Sequence, residues 1–151
     1  MKANVYFLII FLVFFNTKSL SIDATQALKA NFVFLKINNH KIVAEIADNE
    51  VQRIKGLMFR KSLPKDQGMF FKYKTSKIRC MWMKNTSIPL SVAFINSEYT
   101  IVNIKKMIPF DETPHCSISP SMYALEMKSG WFRDRKIKKG QKVTEYLSKS
   151  Y

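Results

Sequence analysis

The side chains best placed to do chemistry lie in two short stretches, Met81-Trp82-Met83-Lys84-Asn85-Thr86 and Tyr123-Ala124-Leu125-Glu126-Met127. The first leaves a strand-like run and meets Ser87-Ile88-Pro89, so its polar residues are presented at a strand end before a proline-stiffened turn. There Lys84 could bind an anionic group, Asn85 and Thr86 could exchange hydrogen bonds with a sugar or amide, and Trp82 could offer a stacking face. The second stretch supplies a carboxyl group, Glu126, as a candidate general acid or base. Arg60, which follows Gly56-Leu57-Met58-Phe59, carries a guanidinium fork that suits a carboxylate or phosphate ligand, or Glu126 itself. Each residue also has an architectural reading. Asn85 and Thr86 are common turn formers, Trp82 on a strand is more often core than platform, and an Arg60–Glu126 pair would be structural as readily as active. Strand alternation puts Glu126 on the face of Ala124, opposite Leu125 and Met127, and does not by itself require burial.

Other schemes are poorly supplied. The acidic residues are scattered, without the close carboxylate pair of a glycosidase. With only two histidines, His40 and His115, neither a zinc set nor a Ser-His-Asp arrangement can be assembled, so no metal site and no cofactor is assigned. The two cysteines, Cys80 and Cys116, form no CxxC. In an exported protein they favour a disulfide over two free thiols, with a metal site third. Closing a loop of about 36 residues would stabilise by roughly 4 kcal/mol in the chain-entropy view. Met58, Met69, Met81, Met83, Met107, Met122 and Met127 offer soft thioethers that could hold Cu(I), with Met81 and Met83 on one strand face. Filling of an irregular core is the competing use.

The elements that must position these groups are mainly strands, because the dominant hydrophobic period is two. Residues 32–37 and 41–47 alternate around Asn38-Asn39 and predict a β-hairpin, since Asn tolerates positive φ. Asp48 is placed to cap a short helix with Val51, Ile54, Leu57 and Met58 at helical spacing. Further strands are predicted at 68–73, 78–83, 91–95, 100–105, 123–127 and 142–147, with turns at Asn96-Ser97-Glu98 and Lys139-Gly140. The pattern predicts a mostly β, antiparallel sandwich or barrel-like single domain with one short helix. Residues 108–122, with Pro109, Pro114 and Pro120, read as a long, proline-pinned loop of the kind that often carries function.

The chain has 151 residues and a formal net charge of +14. Lys2, the apolar run Val5 to Phe15, and Ser19 with Ser21 make a leader of residues 1–21 with the layout of a signal peptide, an alternative cleavage point lying near residue 27. Export to a periplasmic or extracellular space is the expectation, retention by an uncleaved anchor the alternative. Residues 22–151 then form one domain. Such a basic domain attracts anions, so anionic envelope components are candidate partners and a membrane surface is one only by charge. Of the 25 basic residues only Arg53, Arg60, Arg79, Arg133 and Arg135 are arginine. Lysine excess of this kind can reflect AT-rich codon usage, and the absence of Arg-rich stripes or aromatic platforms argues against specific nucleic-acid binding.

Read in order, RIKGLMFRKSLPKDQGMFF, MWMKNTSIPLSVAFINSEYTIVNI, ALEMKSGWF and KKGQKV make the block from Arg53 to Val143 similar to the DUF192 family. The resemblance implies a small, mostly β domain of unassigned activity. Members usually carry Asp after the Ile-Pro-Leu step, where this chain has Ser91 after Ile88-Pro89-Leu90. A catalytic or metal-binding Asp would thus be lost, whereas a turn-capping one would be nearly matched by Ser. Two functions stand. One is a binding domain for a small-molecule or glycan-like envelope ligand, in a cleft near the Met83–Thr86 turn formed by Arg60, Trp82, Lys84, Asn85, Thr86 and Glu126. The other is a hydrolase- or lyase-type enzyme in the same cleft, with Glu126 as acid or base and Lys84 and Arg60 as electrostatic stabilisers. Geometry discriminates: a buried Glu126 with a raised pKa favours the enzyme, and a fully exposed one removes that role.

Overall fold

The computed structural model describes residues 31–146. The leader at 1–21, with its alternative cleavage point, lies outside the described residues. The hairpin forms where the Asn pair predicts it: β1 (Phe32–Ile37) and β2 (His40–Ala47) pair antiparallel, and Asn38 takes a left-handed φ of 54°. Helix α1 (Glu50–Lys55) follows. Its cap is Asn49 rather than Asp48, because the Asn49 side chain accepts from Gln52 N at 2.9 Å while Gln52 Oε1 turns back to Asp48 N. None of its residues is buried, and Val51 and Ile54 are 76% and 59% exposed. The apolar spacing there marks Leu57, just beyond the helix, as the residue that reaches the core.

Strand β3 (Gln67–Lys77) pairs parallel to β2, a departure from the antiparallel expectation, because α1 and its loop carry the chain back to the start of the sheet. The remaining strands are β4 (Cys80–Met81), β5 (Leu90–Ile95), β6 (Ile101–Met107), β7 (His115–Cys116), β8 (Ser121–Lys128) and β9 (Val143–Glu145). The strand expected at 78–83 shrinks to β4, which leaves the main sheet and pairs only with β7. A one-turn helix, α2 (Trp131–Asp134), adds to the single helix expected.

Seven strands form one curled sheet in the order β6-β5-β8-β3-β2-β1-β9, a half-barrel. Its two edges approach each other where Thr100 bridges to Lys142 and Ile101 N donates to Gln141 O at 2.9 Å. One core fills a face of the sheet with Leu35, Ile37, Phe70, Ile95, Leu125 and, from α2, Phe132. Helix α2 is pinned by Trp131 Nε1, which donates to Asp66 Oδ1 at 2.9 Å, and by Arg135, which reaches the same oxygen at 2.7 Å. The opposite face of β3, β5 and β8 carries the second core, including Met69, Phe71, Val92, Phe94 and Ala124, packed with Leu57, Leu63, Met81, Met83 and Ile88 from the connecting segments. The central strands are therefore covered on both sides, and every residue of β5 is buried.

Candidate functional site

Glu126 belongs to the second core's face, since its register partners on β3 and β5 are Met69 and Val92. Only 5% of it is exposed. Among the described residues its carboxyl has no ion pair, and loss of hydration alone pushes its pKa up to about 8. The segments that bury it leave a cleft of about 370 Å³ above it, at the small end of the range for ligand pockets. Phe71, Leu57, Met81 and Leu90 give the cleft its apolar lining, and Glu50, Arg53, Ile54 and Lys55 line it from α1.

Tyr73 lines the cleft with two guanidinium groups near its ring, Arg79 at 3.9 Å from the ring centre and Arg53 at 5.2 Å. Burial raises the phenol pKa most, the Arg79 charge works against it, and Glu126 adds to the rise. Arg53 is tied down by its bonds to the carbonyls of Lys72 and Asp48. Arg79 donates through Nη2 to Thr75 O, while its Nε is shielded from water and has no acceptor among the described residues. The backbone of Arg79 is fixed by reciprocal bonds with Ser117, 3.0 Å to Ser117 Oγ and 2.8 Å back from Ser117 N. The adjacent Cys80–Cys116 disulfide joins residues directly opposite each other on β4 and β7. One wall of the cleft is thus a short covalently closed ladder.

Of the residues singled out by sequence, Trp82, Thr86 and Glu126 line this cleft. Arg60, Lys84 and Asn85 do not. Arg60 grips Glu45 instead of Glu126, with Nη1–Oε1 at 2.5 Å and Nη2–Oε2 at 2.6 Å, and that hydrogen bond holds the guanidinium still more firmly protonated. Lys84 is exposed and lies 5.1 Å from the Trp82 ring centre. Asn85 is exposed at a left-handed φ of 52°, and its carbonyl accepts from Phe59 N at 2.9 Å. Thr86 spends its hydroxyl on Lys84 O at 3.0 Å, and its carbonyl accepts from Phe110 N. The Met83–Thr86 turn therefore knots two loops together and, with the neighbouring Trp82, gives the cleft only Trp82 and Thr86.

Ser91 lies on β5 rather than in a turn and pairs with Met127, on the face opposite Glu126. The departure from the family pattern does not alter the cleft. Met69, Met81, Met83, Met107 and Met127 are buried in the two cores, and Met81 Sδ meets the Tyr73 hydroxyl at 3.9 Å. Among the described residues no three His, Cys, Asp or Glu side chains gather as a metal set. Arg53, Tyr73 and Arg79 were not singled out by sequence; the signal was arginine in a chain that otherwise uses lysine. A second hollow of about 420 Å³ runs along Glu98, Tyr99 and residues 142–145 at the sheet edge and has no buried acid.

A family model matches residues 33–145, that of DUF192, described as Uncharacterized ACR. Two crystal structures are similar to the chain. One is a candidate transcription regulator from Sinorhizobium meliloti 1021, with 32% identity, a TM-score of 0.71, and coverage of 76% of this chain and 92% of that one. The other is a protein of unknown function from Novosphingobium aromaticivorans DSM 12444, also at 32% identity, with a TM-score of 0.70 and coverage of 75% and 84%. No curated protein matches the chain.

Proposed function

The chain belongs to the DUF192 family, and from that premise we propose that it binds a small, hydrogen-bonding ligand of sugar or related envelope chemistry in the cleft above Glu126. The observation that carries this reading is a buried carboxyl, with no ion-pair partner among the described residues, at the foot of a cavity. The carboxyl lines the cleft, so its hydrogen-bonding capacity is offered to whatever occupies it. With its pKa near 8 the group stays protonated at neutral pH and both donates and accepts a hydrogen bond. That pairing suits a hydroxyl or amide, while Trp82, 44% exposed at the cleft, offers an aromatic face to a sugar ring. If the leader directs export, the cleft would meet such compounds in the envelope.

The same carboxyl, buried with its pKa raised, meets the condition set for the enzyme reading, so it favours that alternative as well. An acid whose pKa lies near the working pH is suited to proton transfer, so a hydrolase or lyase would use Glu126 as its general acid or base. Arg79 and Arg53 would then supply the electrostatic stabilisation assigned by sequence to Lys84 and Arg60.

The test is a thermal-shift screen of the full chain against hexoses, N-acetylhexosamines, their carboxylated counterparts and muropeptide fragments, with product analysis of every mixture. A ligand at 100 times its dissociation constant raises stability by about 2.7 kcal/mol. A shift that survives Glu126→Gln, which still donates and accepts, but is lost in Glu126→Leu and weakened by Trp82→Ala supports binding, and consumption of a stabilising compound assigns the enzyme. Absence of any shift across the panel overturns the proposal.

A further inference from the structure

Two exposed phenylalanines are held around one turn of the molecule at a cost to the backbone. Phe59 and Phe110 are 73% and 65% exposed and have left-handed φ values of 63° and 62°. A bulky residue seldom takes that conformation, because its Cβ crowds the following carbonyl oxygen. Both are held through the Met83–Thr86 turn: Phe59 N donates to Asn85 O at 2.9 Å and Phe110 N to Thr86 O at 3.2 Å. Two loops distant in sequence are therefore fixed side by side with their aromatic rings in solvent. Trp82 and Ile108, in the same segments, are exposed as well. Core packing accounts for none of the four.

The lysines beside them indicate what this surface meets. Phe59 is followed by exposed Lys61, Trp82 by exposed Lys84, and Ile108 is preceded by exposed Lys105 and Lys106. The acids of these segments are fewer. Asp111 accepts from Thr113 N and lies 3.5 Å from His115, and Glu112 is exposed. Large apolar side chains exposed together mark a contact surface. Contacts between proteins are depleted in lysine, whereas a lipid interface takes up aromatic rings at headgroup depth and lets lysines extend to the phosphates. We propose that this surface docks on an anionic bilayer, with Phe59, Trp82 and Phe110 entering the interface and Lys61, Lys84 and Lys106 meeting the lipid phosphates. The chain's charge of +14 draws it to such a surface, and the aromatic residues hold it there. Attraction by charge alone has no use for exposed phenylalanines. Trp82 also lines the cleft above Glu126, so docking brings the cleft to the lipid surface whatever ligand it takes.

The experiment is binding of the full chain to vesicles of phosphatidylcholine, alone and mixed with phosphatidylglycerol, read by sedimentation and by quenching of Trp82 with acyl-chain-brominated lipid. The other tryptophan, Trp131, is buried and gives a constant background, and Trp82→Phe identifies the Trp82 signal. The informative variant combines Phe59→Asn with Phe110→Asn, because Asn tolerates the left-handed backbone that Phe resists. It should bind the mixed vesicles at least about tenfold more weakly than the native chain, lose the quenching, and melt no lower. Lys61→Ala with Lys84→Ala should weaken binding severalfold in low salt and little in high salt. Residues 1–21 are common to every variant, so any membrane affinity of their own cancels in the comparison. Undiminished binding by the Asn pair overturns the inference. So does native binding without quenching of Trp82, which leaves attraction by charge alone. Displacement by soluble glycerol phosphate would mean recognition of a phosphate rather than a bilayer and also overturns it. Self-association that the Asn pair abolishes, without vesicle binding, would make the surface a protein contact and sink the proposal. If the Asn pair fails to fold, Trp82 quenching in the native chain and its decrease in the lysine pair decide the matter.

Discussion

Replacing Glu126 with Gln tests the physical basis of the site without any ligand. The side chains are nearly isosteric, so packing beneath the cleft is preserved and the change removes one ionisation. In the folded chain the carboxyl titrates at about 8, against an ordinary value of 4.5, because burial disfavours its charged form. Between those values the unfolded chain binds fewer protons than the folded one, so the native protein loses stability as pH rises. Each unit of separation is worth about 1.4 kcal/mol, which makes the penalty roughly 1 kcal/mol at pH 5, about 3 at pH 7 and about 5 at pH 9. Gln carries no such penalty. The Gln variant should therefore gain about 4 kcal/mol on the native chain between pH 5 and pH 9, a large part of a net stability of roughly 5–15 kcal/mol. Urea denaturation of both proteins at pH 5, 7 and 9 measures the gain, and every other titrating group cancels in the difference. Parallel pH profiles would refute the reasoning, because they would mean that the carboxyl is hydrated or paired in the folded chain.

Three further outcomes are expected. Gly68→Ala puts a Cβ against the Glu126 carbonyl oxygen and Met127 Sδ, both part of the neighbouring strand, so it should cost at least about 2 kcal/mol in a thermal melt and displace the Glu126 strand. Reduction of the Cys80–Cys116 bond opens a loop with a sequence separation of 36 and should lower stability by up to about 4 kcal/mol, read as a fall in denaturation midpoint that the Cys80→Ser, Cys116→Ser double variant reproduces. A double-mutant cycle on Arg60 and Glu45, whose side chains are 36% and 31% exposed, should return a coupling of about 1 kcal/mol or less that shrinks in high salt.

What could be read from sequence follows a physical division. The β1–β2 hairpin was legible because its information is local: two alternating runs and an Asn pair that accepts left-handed backbone. The cysteine pairing was legible from inventory. Burial of Glu126 was not, because alternation states which face a residue occupies, whereas coverage of that face is decided by the connections around α1 and β4, distant in sequence. For the same reason the helical spacing of Val51 and Ile54 did not show that both would be exposed. The Met83–Thr86 motif was recognised as important, but its carbonyls hold Phe59 and Phe110 and its role in the cleft is mostly structural. Apart from Arg60, the arginines were read only as part of a general basic character. Each of the five makes hydrogen bonds through its guanidinium, the work for which a lysine-rich chain still requires arginine.

The position of β9 has a consequence for the order in which the molecule can be made. This three-residue strand lies beside β1, and the Thr144 hydroxyl donates to Lys36 O across a separation of 108 residues. The segment just before it, Gly140 to Lys142, also meets the start of β6. One short, late stretch therefore joins the first strand of the domain to the opposite edge of the sheet. Contacts between such distant residues form slowly, and none of these can form until the chain from residue 140 onward has left the ribosome. Until then the curl stands open and its apolar face is only partly covered. The nascent chain remains until then in a state that a chaperone can still recognise, and it passes out of that state when this stretch pairs.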